Sequence, residues 1–153
     1  SFDGRMKTIS FQIESGILFD RGNPGHAKEA AALKIRPIDI VVCNLYPFEE
    51  SPGIENIDVG GPTMIRAAAK NHKHVVVVCD RGDYRRVAEA LKNNAITPEL
   101  RKELAAKAFW HLSFYDSMVA DFLQFDLSRP PATLPRPGEG LGERSKFYSR
   151  LFF

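Results

Sequence analysis

Two short valine-rich runs, IDIVVCNL at 38 to 45 and HVVVVCD at 74 to 80, constrain this chain more than any other feature. Both are dense in β-branched residues and too short for a buried helix, which predicts two strands covered on both faces. Between them, Gly60-Gly61-Pro62 leads into an alanine-rich run that predicts a helix over 62 to 72, with Pro62 at its first position. Strand, helix and strand in that order need a crossover, so the strands run parallel and the domain is α/β. Other helices are predicted over 24 to 34, opened by Pro24, and over 83 to 93, with Val87, Ala90 and Leu91 on one face. A longer one is predicted from 97 to about 125, where Thr97 serves as N-cap and Pro98 fits the first turn. Its Leu100, Leu104, Ala108 and Leu112 sit four apart, and Phe109, Trp110, Phe114 and Tyr115 read as packing aromatics. Beyond Phe125, four prolines and three glycines between 130 and 142 read as a linker, giving a domain at 1–126 and a Pro/Gly-rich segment at 127–153.

A chain of 153 residues, 44% hydrophobic and 26% charged, has the composition of one ordinary globular domain. A net charge of +2 without a long basic run argues against nucleic acid as a partner. No apolar stretch approaches the roughly 20 residues of a membrane span, and no signal-peptide pattern is visible, so the expected compartment is the cytoplasm. Cys43 and Cys79 each lie in or at the end of a valine-rich run and read as reduced core residues. The four histidines form no metal-ligand pattern, and no metal site is expected.

The stretch IDVGGPTMIRAAAKNH at 57 to 72 carries the chemistry-bearing residue types. Gly60 and Gly61 permit a close backbone approach, and free amides at the helix start would face whatever sits beside Asp58. Thr63, Arg66 and Lys70 share one helical face. The same residues also fit a plain turn, a helix start and a solvated basic face. In parallel sheets ligands sit beyond the carboxyl ends of the strands, which places Asn44 to Phe48 and the loop 49 to 61 on one rim.

Four strings, DGRMKT at 3 to 8, CNLYPF at 43 to 48, IDVGGPTMIRAAAKNH at 57 to 72 and KAFWHLSFYD at 107 to 116, occur in that order. Together they resemble the cyclohydrolase domain of the bifunctional AICAR transformylase/IMP cyclohydrolase family. The family patterns are Asp-Gly-Arg-Val-Lys-Thr-Leu-His-Pro, Asn-Leu-Tyr-Pro-Phe, Ile-Asp-Ile-Gly-Gly-x-Thr with Arg-Ala-Ala-Ala-Lys-Asn, and Lys-Ala-Phe-x-His-x-x-x-Tyr-Asp. The resemblance covers residues 3 to about 122. It implies a methylglyoxal-synthase-like three-layer fold with a mostly parallel sheet, a homodimer, and a purine nucleotide as ligand. It also implies ring closure of the formylated aminoimidazole carboxamide ribotide (FAICAR) to IMP, with no metal or organic cofactor. Under it, Lys70 is the proton donor or acceptor, Asp58 and Tyr46 orient the carboxamide, and Lys7 stabilises negative charge or relays a proton. Arg5, Met6, Lys7 and Thr8 correspond to nucleotide-binding positions, as do Cys43, Asn44, Asp58, Val59, Gly60 and Gly61.

The chain departs from the pattern in three places. Ile9-Ser10-Phe11 stands where the family has Leu-His-Pro, and Glu14-Ser15 replaces a His-Gly pair. The family's upstream Ser-Thr-Gly-Gly-Thr-like phosphate turn has no counterpart, so the sheet is expected to be incomplete at its N-terminal side. The alternative readings are a nucleotide-binding regulatory module of the same fold, an inactive fragment, and a methylglyoxal synthase. Lys7, Tyr46, Asp58 and Lys70 favour the cyclohydrolase, because a regulatory module needs no proton-transfer set.

Overall fold

The computed structural model describes residues 9–126; the expectations placed on residues 1–8 and on the 127–153 linker lie outside them. In chain order the elements are α1 (Phe11–Leu18), α2 (Pro24–Ala32), β1 (Ile40–Val42), α3 (Gly60–Lys70), β2 (Val76–Val78), α4 (Tyr84–Lys92) and α5 (Pro98–Asp126). β1 and β2 pair in parallel with Ile40 opposite Val76, Val41 opposite Val77 and Val42 opposite Val78. α3 is the crossover between them, so the α/β expectation and its parallel pair hold.

Each predicted helix is present, with ends set by identifiable groups. Asn23 caps α2 by accepting from the amides of Gly25 and His26, with Pro24 in the first turn. The Thr97 hydroxyl accepts from the Leu100 amide at 3.1 Å and starts α5. α2 and α4 stop at left-handed residues, Lys34 (φ 56°) and Asn94 (φ 52°). The next amides then turn back: Ile35 donates to the Ala30 carbonyl and Ala95 to the Ala90 carbonyl. α1 is a helix that the apolar pattern of the sequence does not predict.

Both strands are shorter than their apolar runs, and the reasons are local. The amides of His74 and Val75 bond the Asn71 carbonyl in a turn that closes α3, so β2 begins only at Val76. At its far end, the Asp80 carboxylate takes the Gly82 amide instead of continuing the strand. β1 ends because the Asn44 side chain donates to the Cys79 carbonyl at 3.2 Å where the ladder would go on. β2 is buried throughout, but Val42 of β1 is 58% exposed, a correction to the expectation of two strands covered on both faces. Among the described residues β1 has a single strand neighbour.

The core joins these strands to α3 and α5. Ala67, Ala68 and Ala69 are buried, and their small side chains let α3 lie close to the sheet and to α5. Leu104, Ala108 and Leu112 form the buried row of α5, as their spacing required, with Leu100 partly buried at its end. Val87 is buried, whereas Leu91 on the same predicted face of α4 is 40% exposed. The aromatics of α5 divide: Tyr115 is buried, but Phe109 and Phe114 are exposed and do not serve as core.

Candidate functional site

The site assembles at the carboxyl ends of the two strands. Leaving β1, the Cys43 amide bonds the Val78 carbonyl at 3.0 Å, the last rung shared with β2. Asn44 is then held twice: its amide nitrogen donates to Cys79, and its oxygen accepts from the Tyr84 hydroxyl of α4. Its side chain is thus committed to the protein, leaving its backbone for any ligand. Leu45 turns inward against Gly61, and Phe48 is buried. Tyr46 between them is 47% exposed on the rim.

The start of α3 meets this loop. One Asp58 carboxylate oxygen accepts the Gly61 amide at 2.8 Å, which ties the acid to the first turn of the helix. A Cβ on Gly61 would lie 2.5 Å from the other oxygen of Asp58 and 2.9 Å from a methyl of Leu45. Glycine is required there by close approach. The Gly61 amide is therefore taken by the protein's own carboxylate and is not free for a ligand. α3 also begins two residues earlier than expected. Pro62 occupies its third position, where its missing N–H is still harmless.

Tyr115 of α5 closes the arrangement. The Asp58 amide donates to its hydroxyl at 2.7 Å, and its ring meets Phe48 edge-on with centroids 6.1 Å apart. Phe48 in turn packs edge-on against Phe122. Next to Tyr115, Asp116 pairs with Arg66 of α3. Burial raises the Tyr115 phenol above its ordinary value; the Asp58 amide opposes this, and the nearby charges of Asp58 and Asp116 add to it. Burial likewise pushes up the Cys43 thiol, with the Asp58 charge adding to the effect. Both groups are therefore held toward their protonated forms.

Of the residues predicted from sequence, the structure brings together Cys43, Asn44, Tyr46, Asp58, Val59, Gly60 and Gly61. Cys43 is only half-buried, not a core thiol; Cys79 is buried. Arg5, Met6, Lys7 and Thr8 lie outside the described residues. Lys70 does not join the cluster within the chain. It is exposed at the last position of an 11-residue helix, and Asp58 lies just before the first, the helix being about 16 Å long. On the face shared by Thr63 and Lys70, the Arg66–Asp116 pair stands between them. Tyr115 and Tyr84 are the residues that sequence reasoning missed as parts of this site. The signal for Tyr115 was present: it continues the buried row Leu104, Ala108, Leu112 with a hydroxyl that needs a partner.

A second charged group sits past the end of β2. Lys107 of α5 contacts Asp80 at 2.5 Å and Asp83 at 2.7 Å, and Arg86 bridges Asp83 and Glu103. Burial alone would raise Asp80, but its bonds from Lys107 and the Gly82 amide outweigh this and hold it below 3.8. Burial lowers His111, one turn along from Lys107, and keeps its imidazole neutral. Among the described residues no group of three His, Cys, Asp or Glu is placed to hold a metal ion. Nor is any described helix long and apolar enough to cross a membrane.

A parallel-stranded α/β frame with an acid-capped glycine turn facing a strand-end loop defines a methylglyoxal-synthase-like chain, and the comparisons agree. The crystal structure of ForH superposes with a TM-score of 0.73 at 35% identity, covering 82% of this chain and 70% of that one. A family model described as the AICARFT/IMPCHase bienzyme matches residues 68–142. The bifunctional purine biosynthesis protein PurH of Macrococcus caseolyticus is 44% identical over 154 residues, spanning 95% of this chain and 30% of that protein. PurH of Bacillus mycoides is 41% identical over 170 residues, spanning 98% and 33%. The chain belongs to the AICARFT/IMPCHase bienzyme family, and spans about a third of the length of these curated relatives.

Proposed function

We propose that the chain is an IMP cyclohydrolase of de novo purine biosynthesis, acting as a cytoplasmic homodimer on FAICAR. The observation that carries this reading is the Asp58–Gly61 turn, its acid fixed by a helix amide and seated against the Cys43–Phe48 loop. In the reaction the carboxamide nitrogen attacks the formyl carbon and loses a proton as the formyl oxygen gains one. The hydroxyl so formed then leaves as water with the proton of the formamide nitrogen, and the ring is closed. An amide is a weak nucleophile, so a positioned base and a donor to the formyl oxygen are what the protein must supply. Both reacting groups belong to one molecule, and holding them in register supplies much of the rest.

In this scheme Asp58 orients the carboxamide and takes up its proton, and Tyr46 reaches the same group from the rim. The Cys43–Asn44 and Val59–Gly61 backbones line the base. Lys70 serves the formyl oxygen, and Lys7 with Arg5, Met6 and Thr8 serves the charge and the nucleotide. Lys70 enters from the second copy of the chain, because its own Asp58 lies at the other end of α3 beyond the Arg66–Asp116 pair.

The test follows IMP formation from FAICAR with the chain expressed in its complete natural reading frame. A folded protein that binds IMP without turnover would overturn the enzyme reading in favour of the regulatory module. Mixing inactive Asp58→Asn and Lys70→Ala proteins under subunit exchange tests the shared site. About a quarter of the activity should return if Lys70 crosses between copies. None returns if Asp58 and Lys70 of one chain work together.

A further inference from the structure

We infer that Tyr115 is a positioning residue for the Asp58 site, its hydroxyl fixing the backbone of the acid while its ring fixes the loop that carries Tyr46. The inference rests on the cyclohydrolase reading of that site. Tyr115 is 4% exposed and reaches both walls of the site from a third element, α5. On one wall its oxygen accepts the Asp58 amide at 2.7 Å. On the other its ring edge meets Phe48, whose own amide bonds the Tyr46 carbonyl at 2.8 Å. The neighbouring Asp116 holds Arg66, so two consecutive residues of α5 grip the entry and the middle of α3.

The consequence concerns orientation. One Asp58 oxygen is occupied by the Gly61 amide, and the other accepts no hydrogen bond among the described residues. Where that second oxygen points depends on the backbone that carries Asp58 as well as on its side-chain torsions, and the bond from its amide to Tyr115 fixes the peptide plane before it. Without the hydroxyl, the carboxylate can keep its cap on Gly61 while the peptide plane before it swings. The acid then remains present but is aimed less often at the substrate, which reduces rate more than affinity.

Tyr115→Phe removes the oxygen and keeps the ring. The expected result is a fall in kcat of about tenfold with KM changed less than about twofold, and an unchanged fold by circular dichroism. Adding Asp58→Asn to Tyr115→Phe should cost clearly less than Asp58→Asn alone, since both act through one carboxylate. Hydrogen exchange at the Asp58 amide should quicken by about tenfold in Tyr115→Phe. Fully additive losses, or an exchange rate equal to wild type, would overturn the assignment. The exchange measurement needs no turnover, so a wild-type protein that lacks cyclohydrolase activity would defeat the functional reading while leaving the positioning role decided separately.

Discussion

Replacing Gly61 by alanine sets two opposing effects against each other at one atom. Alanine favours a helix over glycine by about 1 kcal/mol, and Gly61 lies inside α3, so propensity alone predicts a more stable protein. The added methyl, however, would stand 2.5 Å from an Asp58 carboxylate oxygen, 3.0 Å from its Cγ and 2.9 Å from Leu45 Cδ2. Those distances are far inside contact, and both neighbours are anchored. The carboxylate must leave the Gly61 amide, which loses a cap worth about 1 kcal/mol, and Leu45 must shift in a packed site at a cost of about 1–3 kcal/mol. The net effect is a destabilisation of about 2 kcal/mol, or a fall of about 6 °C in Tm for a chain of this size. Urea and thermal unfolding of wild type and Gly61→Ala measure it directly. The same substitution made beside Asp58→Ala should cost about half as much, because one of the two colliding groups is gone. If Gly61→Ala is as stable as wild type, or more so, propensity has won and the close-approach argument is wrong. Cyclohydrolase activity should fall further than stability does, since the displaced group is the acid itself.

Lys70→Ala removes an exposed side chain, so stability should change by less than about 0.5 kcal/mol while IMP formation falls by roughly a hundredfold or more; steady-state kinetics beside a melting curve checks both. Lys107→Met removes the amine shared by Asp80 and Asp83, leaving Asp83 only Arg86 and Asp80 only the Gly82 amide, and should cost about 2 kcal/mol at neutral pH by urea titration, with their partial exposure softening the loss. The pH dependence of that cost has a definite sign. Asp80 is held below 3.8 in the folded protein, so its share is present above 3.8 and is lost as pH falls through its folded value. Lys107 is raised above 10.5 by Asp80 and Asp83 against the opposing effect of burial, so its share is present below 10.5 and is lost as pH rises through its folded value. Thiol alkylation should distinguish the cysteines: burial pushes Cys79 up to about 12, while Cys43 is half-buried at the site. Mass spectrometry at mildly alkaline pH should find Cys43 modified first and protected by IMP, with Cys79 modified only on unfolding.

The parts of this fold visible in the sequence are those that depend on local chemistry. Asn23-Pro24 and Thr97-Pro98 announce two helix starts, and the Leu104–Ala108–Leu112 row announces the face that α5 buries. Strand ends were not visible, because side chains distant in sequence or in the next turn set them: Asn44 takes a carbonyl of the neighbouring strand, and Asp80 takes an amide beyond its own. α1 was missed for a related reason. Of its eight residues only Gly16 and Ile17 are buried, with Glu14 and Ser15 half-buried beside them, so they carry little of the apolar periodicity that marks a core helix. At the site, residue types pointed correctly to the Asp58 turn and the Cys43–Phe48 loop as neighbours. Helical periodicity placed Lys70 on a face with Thr63 and Arg66 but said nothing of distance along the axis, and that distance separates it from Asp58.

α3 is held at both ends. Its first turn is fixed through Asp58 and Tyr115, and at its last, Asn71 donates to the carbonyls of Ile17 and Phe19 at 2.6 and 3.1 Å. A strut pinned in this way has no room for changes of length. One inserted or deleted residue between Gly61 and Ala67 would turn everything beyond it by about 100°, carrying the amine off its face and Ala67–Ala69 out of the core together. The stretch from Glu49 to Asn56 is exposed apart from the half-buried Gly53, and the tie from the Asn56 side chain to Ser51 closes the loop on itself without fixing it to the core. Length variation among related chains should therefore gather in that loop and be absent from the helix, so that α3 acts as a molecular ruler between two chemical groups.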